Sequence, residues 1–116
     1  MVSDVPAHEV LARLAPEERA WVEEFRDRVR AEFGARVRDI RIFGSKVRGD
    51  FHDESDIDLL VLIDDGDRGS FDRIGAIAHS INSWLQVHTF DFDAYHAPKS
   101  RASGFYRELR KESVKL

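Results

Sequence analysis

The chain has 116 residues, of which 22 are acidic and 18 basic, and 42% are hydrophobic, for a formal charge of −4. That balance suits one domain with a modest core, and it argues against a broad nucleic-acid binder, which usually carries a basic excess. Cysteine is absent, so no disulfide or thiolate metal site can form. With no N-terminal apolar leader and no apolar run near 18 residues, a protein of the cytoplasm, with no membrane span, is expected.

In chain order, Ser3 to Leu14 reads as a short helix, with Ser3 or Asp4 as cap and Pro6 in its first turn. A second helix restarts after Pro16, places Glu17 and Glu18 where the helix dipole favours acids, and stops at Gly34. Trp21, Phe25, Val29 and Phe33 recur every four residues along it, joined by Val22, as a stripe for core packing. Arg38 to Phe43, "RDIRIF", alternates as a half-buried strand should. Asp50 to Ser55 is a polar loop, and Ile57 to Ile63 is apolar enough for a central strand. Asp64 to Gly69 is a turn, after which Ser70 caps a helix bearing Phe71, Ile74, Ile77, Ala78, Ile81 and Leu85. Val87 to Phe92 alternates again, with Phe90 and Phe92 on one side and Thr89 and Asp91 on the other. Pro98 to Gly104 is a linker, and a last helix carries Phe105, Tyr106 and Leu109 to about Glu112. Helices thus alternate with strands, which predicts an α/β (α+β) domain whose small mixed sheet is flanked by helices.

The segment that carries chemistry is "FGSKVRGDFHDESDIDLLVLI", Phe43 to Ile63. Gly44 has no Cβ, so a phosphate can come close to the backbone there, and Ser45 adds a hydroxyl. Asp56 and Asp58 are two apart, so a strand aims both at one face. Like charges that close repel unless a cation lies between them. Magnesium answers that need with one or two carboxylates, water and substrate phosphates, and two such ions can clamp both oxygens of a phosphoryl transfer. The five histidines show no helix-ligand spacing, which argues against zinc.

In the order Gly44, Ser45, Arg48, Gly49, Ser55, Asp56, Asp58, Leu59, the segment resembles the signature of the polymerase-beta-like nucleotidyltransferase superfamily. With the flanking elements and the ending "YRELRKESVKL", the chain resembles the minimal nucleotidyltransferases, short proteins often paired as antitoxins with a HEPN-type toxin. The resemblance implies a single domain over 1–116, with 1–34 as N-terminal helical segment and 35–116 as catalytic core. It implies that Gly44 and Ser45 hold the β- and γ-phosphates of ATP, and that Asp56 and Asp58 hold magnesium, two ions in all. Lys46 and Arg48 would reach a phosphate, although Arg48 can equally pair with a nearby acid. A third carboxylate on a neighbouring strand would complete a metal site and take the proton of the attacking hydroxyl. Asp91 is favoured for it over Asp93, which also looks like the cap of whatever Ala94 begins.

The expected activity is transfer of AMP from ATP to a hydroxyl, foremost a tyrosine of the partner toxin. One alternative is a weak or inactive module that neutralises a partner by covering it. Another is a small-molecule nucleotidyltransferase of the antibiotic-modifying type, although a chain of this length has little left to build an acceptor pocket. The oligomeric state, homo- or hetero-, is open at this point.

Overall fold

The computed structural model describes residues 7–44 and 56–116. The expected caps Ser3 and Asp4 and the 45–55 loop lie outside them. Helix α1 is Ala7–Arg13 and α2 is Pro16–Phe33. The start of α2 is closed by its own sequence: the Ala15 N–H donates to Glu18 Oε1 at 3.0 Å, and Pro16 occupies the first turn, where no N–H is needed. Its stripe buries Val22, Phe25 and Val29, with Trp21 and Phe33 at the margins. A single 3-10 turn, Gly34–Arg36, leads into β1, Val37–Phe43. Strand β2 is Ile57–Ile63, α3 is Arg68–Ile81 and β3 is Leu85–Asp91. Two helical turns, α4 (Phe92–Tyr95) and α5 (Pro98–Arg101), precede α6 (Gly104–Glu112) and β4 (Val114–Lys115).

The α/β class expected from the alternation is the one observed, with a mixed sheet in the order β3-β2-β1-β4. β1 lies antiparallel to β2 and β4, while β2 and β3 run parallel and are joined by the crossover helix α3. Ile57, Leu59, Val61 and Ile63 of β2 pack beneath α1, α2 and α3 with Phe25, Ile74 and Ile77. Leu60 and Leu62 face the other way, onto Tyr95, Tyr106 and Leu109 of the C-terminal helices. An apolar run without alternation is what a strand covered on both faces requires.

Local chemistry moves some boundaries. Asp67, rather than Ser70, caps α3: its carboxylate accepts the Ser70 N–H at 2.8 Å. Leu85 belongs to β3, not to the preceding helix, because the chain leaves α3 at Asn82 and extends. The 98–104 linker contains the helical turn α5, which starts on Pro98. β4 was not foreseen; it is a two-residue edge strand held on the outside of β1.

Candidate active site

β1 and β2 form the hairpin that brings the first two candidates together. Phe43 and Asp58 are register partners at the end where β1 connects to β2, and Gly44 follows immediately with φ +81°. That backbone conformation favours glycine. A Cβ on Gly44 would lie 2.5 Å from Asp58 Oδ2, so the glycine is also what lets the carboxylate sit against the chain. Asp58 is partly buried, while Asp56 is exposed just before the strand. The parity of the strand puts Asp58 on the face that carries Leu60 and Leu62, with Asp56 two residues ahead of it. The Ile57 N–H, between them, donates to the Trp84 carbonyl at 2.9 Å and so ties their backbone to the start of β3. Ser45, Lys46 and Arg48, the remaining phosphate-end candidates, lie outside the described residues.

Asp91 is elsewhere, and that expectation is corrected. In the parallel register Asp58 lies beside Gln86 and Asp91 beside Ile63, at the opposite end of the strand pair. Five residues of strand separate the two, roughly 16 Å. Ile63 faces the α1–α3 core, so Asp91 is also on the opposite parity. Its carboxylate accepts the Gly66 N–H at 2.8 Å and the Ala94 N–H at 3.0 Å, pinning the β2–α3 turn and capping α4. These backbone donors, Gly66 first, hold its carboxyl below the usual carboxylate range. Asp93, exposed in the first turn of α4, stands at the same far end.

On β3 the register partner of Asp58 is Gln86, and the next residue on that face, beside Leu60, is His88. It shares parity with Phe90, which packs on the Leu60 face. Its ring lies 5.5 Å from that of Phe43, the register partner of Asp58, and 5.8 Å from Phe105. The imidazole therefore leans across β2 toward the Asp58 end. The signal was present in the sequence, since the alternation that puts Phe90 and Phe92 on one side includes His88.

Among the described residues no three His, Asp or Glu side chains group so as to hold a metal ion. Two carboxylates at one strand mouth, one of them set against a glycine backbone, still suit a hard divalent cation. Magnesium commonly takes one or two protein carboxylates and fills its shell with water and substrate phosphate. Asp56 and Asp58 are the residues that fit it.

Residues 22–112 match the family model described as "Nucleotidyltransferase domain". Over 48 residues the chain is 42% identical to a protein of Methanocaldococcus jannaschii named "putative protein adenylyltransferase", a match spanning 41% of this chain and 47% of that one. The chain thus spans about half the length of this curated relative. In fold, it superposes with a TM-score of 0.56 on a crystal structure described as a nucleotidyltransferase, itself "putative", from Sulfolobus solfataricus. That match has 23% identity and covers 99% of this chain and 89% of the other. A crystal structure described as "the toxin-antitoxin with AMP-PNP" superposes with a TM-score of 0.52 at 17% identity, over 87% of this chain and 72% of that one.

Proposed function

The chain belongs to the nucleotidyltransferase domain family, and from that premise we propose that it moves AMP from ATP to a protein hydroxyl. The observation that carries the reading is the contact of Gly44 with the Asp58 carboxylate, which sets a close-approach backbone against a metal-competent acid. The protein-adenylyltransferase name of the Methanocaldococcus relative and the AMP-PNP in the toxin-antitoxin neighbour support ATP and a protein acceptor. The acceptor we favour is a tyrosine of a HEPN-type toxin, neutralised by the modification.

In this reading Asp56 and Asp58 hold magnesium against the triphosphate. The bound ions would draw charge from the phosphate oxygens and favour departure of pyrophosphate. Gly44 keeps the backbone clear for the β- and γ-phosphates, and Ser45, Lys46 and Arg48 would contact them from the following loop. The tyrosine oxygen attacks the α-phosphorus in line. A P–O bond forms there while the bond to the bridging oxygen of the β-phosphate breaks, and pyrophosphate takes the electron pair. His88, exposed on the same face, would receive the phenolic proton.

The test is transfer of label from α-labelled ATP to the partner toxin in the presence of magnesium. Asp58→Asn is expected to lower the rate by about 10²–10³-fold, the usual cost of losing one charge-stabilising group. Full-rate transfer by Asp58→Asn would sink the assignment. A second reading, neutralisation by covering the partner, is favoured by the displacement of Asp91 from the site. The double variant Asp56→Ala/Asp58→Ala separates the two: neutralisation that survives it in full belongs to covering, and neutralisation that disappears belongs to transfer.

A further inference from the structure

Asp39 projects from β1 to the same face as Arg41 and Phe43. Its Oδ2 accepts a 2.7 Å hydrogen bond from Arg41 Nε, and Arg41 Nη1 donates onward to Ser113 Oγ at 3.2 Å. Its other oxygen, Oδ1, is buried and meets no donor among the described residues. Buried acceptors of this kind are rare in folded proteins, because the group has given up water and gained nothing. Asp39 also lines a cavity of about 350 Å³, floored by Leu60 and Leu62 and walled by Tyr106 and Arg101. That volume is in the range of small-molecule sites, which are mostly apolar with a few placed polar groups.

The cavity continues the candidate active site. Leu60 is the next residue after Asp58 on that face, so the floor begins where the carboxylates end. Asp39 pairs in register with Leu62, four residues beyond Asp58 and roughly 13 Å along β2. An acceptor hydroxyl has to meet the α-phosphorus beside Asp58 and cannot also fill this space. The base of the same nucleotide, separated from that phosphorus by the ribose, can.

We propose that this cavity takes the nucleobase of the substrate nucleotide, and that Asp39 Oδ1 accepts a hydrogen bond from an exocyclic amino group such as the one on adenine. Because Arg41 occupies Oδ2, the carboxylate has one oxygen to offer. It therefore suits a single amino donor better than the paired N–H donors of guanine. A keto group at the same place would set lone pair against lone pair and be rejected. The inference rests on the nucleotidyl-transfer reading for the direction in which the nucleotide lies.

Calorimetric titration of the full chain, with magnesium, against ATP, inosine triphosphate and inorganic tripolyphosphate tests it. The wild type should bind ATP at least about tenfold more tightly than inosine triphosphate, a difference of about 1.4 kcal/mol. Asp39→Asn should erase that preference, because its amide can turn a donor toward the keto oxygen, while tripolyphosphate binds unchanged. Leu62→Trp, which fills the cavity, should reduce ATP to the affinity of tripolyphosphate, and circular dichroism checks that both variants fold. Equal binding of ATP and inosine triphosphate by the wild type, or an unaltered preference in Asp39→Asn, overturns the base site alone. Absence of tripolyphosphate binding overturns it together with the transfer reading.

Discussion

Gly44 is the residue on which the proposed site turns. Its φ of +81° and its contact with Asp58 leave no room for a side chain. Gly44→Ala is expected to destabilise the fold by about 1–2 kcal/mol from backbone strain alone. The same change should push the Asp58 carboxylate aside and lower transfer more than stability, measured as labelled product per folded protein. His88→Ala is expected to lower the turnover number by about 10²-fold with nucleotide affinity unchanged, as the loss of a proton acceptor does. An equal loss in nucleotide affinity would place His88 with the phosphates instead. Asp91→Ala separates the two ends of the strand pair: thermal unfolding should shift downward through the freed Gly66 and Ala94 N–H groups, while nucleotide affinity stays the same. The sequence showed which residues bear charge and which alternate. It did not show register, and register alone decides that Asp91 lies beside Ile63 while Asp58 lies beside Gln86.

Among the elements, the β1–β2 hairpin was the most legible. "IDLLVLI" has too many consecutive apolar residues for a one-sided strand, and the structure covers it on both faces. The stripe on α2 was equally plain, and its central Phe25 is fully buried. Phe25→Ala should cost about 3–5 kcal/mol, read from urea unfolding monitored at Trp21 and Trp84. Less legible were the breaks between elements. "INSWLQV" contains both the end of α3 and the start of β3, and helical spacing runs on through Leu85. What stops the helix is Asn82, which goes extended and whose side chain accepts the Trp84 N–H at 2.8 Å. Asp39 was invisible for a different reason: alternation identifies the strand, but an unmatched oxygen appears only once the opposing helices are in place.

For the whole molecule, the acid response is carried, among the described residues, by three carboxyls held low by their partners. Asp91 is lowered first by Gly66, Asp67 by the Ser70 N–H, and Glu32 by its hydrogen bond to Arg73. A depressed folded-state pKa means that the unfolded chain binds protons first as pH falls. The stability these groups contribute is therefore complete above their ordinary values, near pH 4–4.5, and drains away as pH drops below. Urea midpoints measured from pH 7 to pH 3 should stay level and then fall at the acid end. Asp91→Asn should flatten that fall, and a profile as steep as the wild type's would remove Asp91 from the account. Molecular charge also bears on partners. No described helix is long and apolar enough to cross a membrane, and the formal charge of −4 sets this surface against polyanions and toward basic ones.

Gly44 and Asp58 sit on opposite strands at the same end of one antiparallel ladder, locked by the pairing of Phe43 with Asp58. The carboxylate proposed to hold the metal cannot shift against the glycine proposed to admit the phosphate unless that ladder opens. Its amides should therefore exchange with solvent deuterium only in rare, near-global openings. The short turns α4 and α5, each four residues long, should exchange in smaller and more frequent ones. The hairpin is then the rigid part of the proposed site, and the short turns beside it are the part that opens first.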